Sequence, residues 1–173
     1  MDALRRPIHS EYPEYYQQYV ATVPDGNILH TLRDQLGETL ELLAAVPEEK
    51  EGFRYAEGKW SVREVVGHMI DTERLFAYRA LSMAREDGVV LPGMDQDVWA
   101  RASRAEHRNL PDMSDEWTAL RRANIHLFAT FDESTAERRG VASDVTFAVR
   151  SFPWIIAGHE LWHRRSLVVD YQI

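Results

Sequence analysis

The sequence predicts an all-α four-helix bundle with one long crossover connection, and three observations carry that expectation. Four stretches repeat apolar residues at close to a 3.6-residue period. Turn-forming residues separate them, and the single alternating stretch is too short to build a sheet by itself. A chain of 173 residues, 45% hydrophobic and 28% charged, suits one globular domain over residues 1–173 with an N-terminal arm over about residues 1–24.

The arm is rich in tyrosine and proline (Tyr12, Pro13, Tyr15, Tyr16, Tyr19, Pro24) and reads as a helical turn packed across the domain. After Pro24-Asp25-Gly26, the apolar positions Ile28, Leu29, Leu32, Leu36, Leu40, Leu43 and Val46 define the first long helix, which Pro47 stops. The second begins at Ser61, with Glu64 three residues on to complete a capping box and Trp60 placed to staple onto Val65. Its inward stripe runs Val65, Met69, Thr72, Leu75, Phe76, Arg79, and His68 lies inside that stripe. Residues 88–113 hold two prolines and two glycines around a short amphipathic stretch at Val98, Trp99 and Ala102, a long connection with one small helix. Ser114 opens the third long helix, whose buried stripe is Trp117, Leu120, Asn124, Leu127, Phe128 and Phe131, and Gly140 closes the segment after it. Val145, Phe147 and Val149 then alternate as one strand or an extended loop. Ser151 and Pro153 mark the first turn of the last helix, which is apolar around most of its circumference and therefore expected in the core.

Charge and composition remove several function classes. Lys and Arg total 20 against 28 Asp and Glu, a net charge of -8, the wrong sign for a phosphate-binding surface, so nucleic acid is not the expected partner. With no cysteine, thiolate nucleophiles and Cys-ligated zinc are excluded, and any metal must be held by nitrogen and oxygen. No apolar run approaches the roughly 18 residues that span a bilayer, and the N-terminal stretch has no apolar leader, so a cytoplasmic address without membrane association is expected.

The chemistry concentrates in Gly158-His159-Glu160-Leu161-Trp162-His163. Two histidines four apart on a helix stack one turn above the other, about 5–6 Å between Cβ atoms, so both imidazoles can reach one divalent ion. His68, on the buried stripe of the second helix, is the candidate third ligand. Each unpaired ring in an apolar core costs roughly 1–3 kcal/mol, so three aimed at one place imply a shared partner. Three imidazoles also leave coordination positions open, as a catalytic site requires. His9, His30, His107 and His126 lack such company.

The string His159-Glu160-Leu161-Trp162-His163 fits the zinc-protease pattern H-E-x-x-H, with Glu160 in the general-base position. The ten residues after His163 contain neither His nor Glu, and Asp170 is their one carboxylate, so the downstream third ligand of such proteases has no source. Glu160 could still orient a water or form a salt bridge. Asp71 stands near His68, placed to receive a ring N–H from a ligand or to pair with Arg74. Asp95 and Asp97 could close a coordination sphere from the long connection, and Arg164 and Arg165 could bind an anion or offset the helix dipole.

Taken in order, Gly58-Lys59-Trp60-Ser61 with Glu64, Gly67-His68 with Asp71 and Glu73-Arg74, Leu91-Pro92-Gly93 with Asp95-Gln96-Asp97, and Ala157-Gly158-His159-Glu160 with His163 resemble the DinB/YfiT-like metalloenzyme family. The resemblance runs from about residue 12 to residue 171. It implies an up-down-down-up helix order, a homodimer, and nickel or zinc on three histidines matching His68, His159 and His163. The chain has Trp162 where many relatives have a further histidine, and Asp170-Tyr171 where many end in Arg-Tyr. Activities in the family include thiol-dependent S-transfer, maleylpyruvate isomerisation and metal-dependent hydrolysis, united by a metal that lowers the pKa of a bound thiol or water. The leading expectation is therefore a divalent-metal enzyme that activates a small thiol for transfer to an electrophile, with Glu160 and Asp71 as candidate catalytic acids. Metal-dependent hydrolysis and a non-catalytic metal-binding stress-response module are the alternatives.

Overall fold

The computed structural model describes residues 3–173, so the first two residues of the expected domain and arm lie outside the described residues. Two 3₁₀ turns at His9–Glu11 and Glu14–Tyr16 lead into a one-turn helix, α1 (Gln17–Val20). The arm is fastened to the body by polar bonds: Trp154 Nε1 donates to the Leu4 carbonyl at 2.8 Å, and the Arg6 guanidinium lies over the Trp154 ring.

The long helices start where side chains satisfy their free N–H groups. In α2 (Ile28–Ala44) the Asn27 side chain accepts from the amides of Leu29 and His30. At the start of α3 (Val62–Arg85), Ser61 accepts from the Glu64 amide while Glu64 accepts from the Ser61 amide, the reciprocal box expected from the sequence. The connection then forms a short strand, β1 (Val90–Leu91), and α4 (Gln96–Ala102), which Asp95 caps. The third long helix, α5 (Leu110–Phe128), begins one turn before Ser114. Asn109 caps it by accepting from the Asp112 amide, and Pro111 sits in the first turn, where its missing N–H has no helical partner to lose.

Beyond α6 (Glu133–Ala136), the alternating residues do find a sheet. Strand β2 (Arg139–Ala142) pairs antiparallel with β3 (Val145–Ala148), Gly140 opposite Phe147, and β1 adds to β2 in parallel with Val90 opposite Val141. Ser143 and Asp144 both take positive φ, 53° and 63°, the backbone of a tight two-residue hairpin turn. Gly140 thus lies within a strand; a Cβ there would meet the Met83 side chain at 2.6 Å and the Val89 carbonyl at 2.8 Å, so glycine lets β2 lie against α3.

The last helix, α7 (Ser151–Val169), carries its apolar opening turns into the core. Helix α2 packs against α5 and α7, and α3 packs against the same two. Consecutive helices α2 and α3 therefore stand at opposite corners, joined by residues 45–61 across the end of the bundle. Two apolar cores result, one containing Leu32, Phe76, Phe128 and Ala157, the other Leu36, Met69, Trp117 and Leu167. Along every long helix a polar residue separates the two: Gln35, Glu73, Arg121 and Glu160.

Candidate metal centre

Helix geometry brings the three histidines together. His159 and His163 project from successive turns of α7, and His68 meets them from α3, which packs directly on α7. The Nε2 atoms of His68 and His163 each lie 3.1 Å from Nε2 of His159. One ligand-capable atom from each residue falls within 4.8 Å of the others, and among the described residues these histidines form the group able to hold a metal. His9, His30, His107 and His126 stand outside it.

The surroundings keep the rings neutral. Burial pushes the His68 imidazole down to about 4, with partial opposition from Asp97, and burial with the nearby His68 ring takes His163 down to about 3. Burial also holds His159 well below the ordinary range, helped by both neighbours. At neutral pH all three therefore present lone pairs rather than charges. Internal hydrogen bonding cannot satisfy such a set: the single lone pair or single proton on Nε2 of His159 faces two other Nε2 atoms at once. A tetrahedral ion at about 2.0–2.1 Å from each nitrogen would place the nitrogens roughly 3.3 Å apart, close to the 3.1 Å that separates Nε2 of His159 from Nε2 of His68 and of His163. The donor set thus fits a divalent ion that accepts imidazole nitrogen.

Second contacts fix ring orientation. The Thr72 hydroxyl lies 3.4 Å from Nδ1 of His68, Trp60 packs on the same ring at 4.7 Å between centroids, and Tyr19 packs edge-on against His159 at 5.5 Å. Tyr19 reaches that position because residue 158 is glycine; a Cβ there would collide with the carbonyl and Cα of Tyr19. The tyrosine-rich arm, expected only to pack, is therefore part of the site.

The two candidate acids stand elsewhere. Glu160 follows His159 by one residue, about 100° around the helix, and its carboxylate enters the polar layer, accepting from Arg121 Nη2 at 2.8 Å and from Thr39 Oγ1. Asp71 pairs with Arg74 at 3.7 Å and makes no hydrogen bond to His68 among the described residues; burial raises its pKa against the pull of Arg74. Asp95 is occupied in capping α4, and Arg164 pairs with Glu38 at 2.7 Å.

A network that sequence reasoning missed underlies the histidines. Arg121, fully buried, donates from Nε and Nη2 to Glu73 at 2.8 and 2.7 Å, from Nη2 to Glu160, and from Nη1 to the Leu32 carbonyl at 2.8 Å. Glu73 also accepts from Trp117 Nε1 and Asn124 Nδ2. Burial alone would raise the Glu73 pKa, yet the Arg121 charge and these bonds hold it below the usual carboxylate range. The available signal was a charged residue at position 121, four after Trp117 and three before Asn124, on the buried face of α5.

A cleft of about 210 Å³ adjoins the histidines, its wall shared by His68, His159, Tyr16, Tyr19, Phe76 and Arg79. The arrangement is thus a set of convergent neutral nitrogens beside a space large enough for a small organic molecule.

Comparison with known proteins adds family context. The sequence model of the DinB superfamily matches residues 31–167. Over 73 residues the chain is 34% identical to a protein of Oceanobacillus iheyensis named "putative metal-dependent hydrolase", covering 42% of this chain and 40% of that relative. The shared stretch is thus less than half of that relative's length. YfiT from Bacillus subtilis, whose structure is described as that of "a probable metal-dependent hydrolase with an unusual four-helix bundle topology", superposes with a TM-score of 0.67 over 91% of this chain and 86% of its own, at 16% identity. At that identity the likeness establishes the bundle fold.

Proposed function

From the premise that the chain belongs to the DinB superfamily, we propose that His68, His159 and His163 hold one divalent ion, nickel or zinc, and that the protein is a metal-dependent enzyme hydrolysing a small organic substrate. One observation carries the reading: three neutral imidazoles bring ligand-capable atoms within 4.8 Å of one another, with two contacts of 3.1 Å that hydrogen bonds cannot jointly satisfy, on the wall of a cleft. An ion bound there lowers the pKa of a water or thiol entering its open positions and so supplies a nucleophile at neutral pH. The chain's own residues prepare the site. Thr72 orients His68, Tyr19 and Trp60 hold the rings in place and shield them from solvent, and Glu160 positions α7 through Arg121 and Thr39. With both oxygens engaged, Glu160 is a positioning residue, and Asp71 serves as the partner of Arg74.

The size of the cleft favours a second reading within the same framework, activation of a small thiol for transfer to an electrophile, since about 210 Å³ exceeds what an attacking water needs. The two are separated by assaying metal-loaded protein on esters, amides and phosphoesters, with and without low-molecular-weight thiols and a chlorinated or epoxide acceptor. Hydrolysis without thiol is expected; turnover that appears only when thiol is supplied transfers the assignment to S-transfer. Elemental analysis of the wild type beside His68→Ala, His159→Ala and His163→Ala tests the site itself. The wild type should retain about one ion per chain and each variant little; full retention in all three overturns the ligand assignment. We further propose, on the family resemblance, that the chain forms a homodimer, which light scattering on the eluted protein checks.

A further inference from the structure

Three arginines are buried to 2% exposure or less: Arg79, Arg121 and Arg150. Two of them follow the rule that a buried charge is neutralised. Arg121 meets Glu73 and Glu160, and Arg150 meets Glu11, Glu133 and Glu137. Arg79 has no carboxylate among the described residues. Its Nη2 donates to two neutral oxygens, the Pro92 carbonyl at 3.2 Å and Ser143 Oγ at 3.0 Å, and its Nε is buried without an acceptor. The neutral Tyr16 phenol is its other polar neighbour.

This unmatched cation lies on the wall of the cleft that adjoins the histidines. Residues 68, 72, 76 and 79 follow one face of α3, so the cleft runs along the helix from His68 to Arg79. Eleven residues correspond to about 16 Å of helix axis, shortened because long helical side chains lean toward the N-terminus, here toward His68. Between the two ends the wall is aromatic and apolar, with Tyr16, Leu75, Phe76 and Met94. Among the described residues that line it, Arg79 is the one permanent charge of either sign.

Resting on the metal-enzyme reading, we infer that the substrate is a small amphiphile whose terminal carboxylate is bound by Arg79, with an apolar or aromatic body along Phe76 and its reactive group at the histidines. A single guanidinium among neutral oxygens matches a monoanion better than a doubly charged phosphate. Nothing among the described residues neutralises Arg79, so the ligand does.

Calorimetric titration of the 173-residue chain with hexanoate, hexanamide and inorganic phosphate tests this, with metal and after chelation, on the wild type, Arg79→Gln and His163→Ala. Hexanoate should bind the wild type at least tenfold more tightly than hexanamide, survive chelation and persist in His163→Ala, and weaken at least tenfold in Arg79→Gln. Equal affinity for acid and amide, or no saturable binding of either, overturns the inference from the wild type alone, whether or not the variant folds. Phosphate bound more tightly than hexanoate overturns the carboxylate assignment. Hexanoate binding lost on chelation and in His163→Ala but kept in Arg79→Gln places the anion on the metal, which sinks this inference and leaves the metal reading standing. Hexanoate binding by a wild-type protein that takes up neither nickel nor zinc when these are supplied would instead remove the metal reading alone.

Discussion

Arg121 and Glu73 form a fully buried ion pair in which the guanidinium makes four hydrogen bonds and both carboxylate oxygens accept, and removing either member strands the other in the interior. Arg121→Met should therefore destabilise the protein by about 3–5 kcal/mol in urea unfolding, whereas a surface arginine such as Arg74 should cost no more than about 1 kcal/mol. The same pair sets a pH dependence. The Glu73 carboxyl titrates below its ordinary 4.5 in the folded protein, so as pH falls the unfolded chain takes up its proton first. The stabilisation is complete above about 4.5 and is lost as pH drops through the folded value, and Glu73→Gln should flatten that acid limb in urea titrations between pH 6 and 3. An unchanged slope would show that Glu73 contributes none of it. The histidines could be found beforehand because spacing on a helix fixes which side chains converge, and His68 belonged to a stripe of apolar neighbours. Glu160 could not be placed that way: one residue's rotation around α7 separates the histidine cluster from the Arg121 hub, and only the packing of α5 shows which side Glu160 takes. Arg79 stood in the expected buried stripe, but that its partners among the described residues are neutral oxygens depends on contacts from residues 92 and 143, outside its helix.

Helix starts are readable where a side chain caps them, as at Ser61, and shift where the cap lies inside a stretch read as connection, as at Asn109, whose neighbour Pro111 suits a first helical turn as well as a loop. The sheet escaped detection for a different reason. β1 and β2 offer two and four residues, too little pattern to read, and their pairing joins segments about fifty residues apart. The contact between α1 and α7 is equally nonlocal and depends on residue 158 lacking a Cβ. Gly158→Ala should push α1 outward, lowering stability by about 1–3 kcal/mol as overpacking does. Limited proteolysis should then cut near Tyr19 faster than in the wild type; unchanged cleavage would mean that the arm is held chiefly by Arg6 and Trp154.

The bundle class followed from four amphipathic periods, yet their arrangement did not, since nothing local says that α2 and α3 stand diagonally. Family resemblance supplied that order, and the packing of both helices on α5 and α7 agrees with it. Because the histidines bridge α3 and α7, an ion on them would tie two helices that are remote in sequence. Nickel or zinc at about a hundred times its Kd should then add about 2.7 kcal/mol to unfolding, seen as a rise in Tm that His163→Ala abolishes. An equal rise in that variant would point to binding elsewhere.

The guanidinium of Arg121 touches α2 through the Leu32 carbonyl, α3 through Glu73 and α7 through Glu160, while rooted in α5. Sliding any one of these rods by a single turn, about 5.4 Å, would unseat the pin and leave bare charge in oil. Gradual creep between neighbouring registers is thereby forbidden: the interior either holds as assembled or comes apart together, and the spacing of the three imidazoles is kept true by a bolt that never touches them.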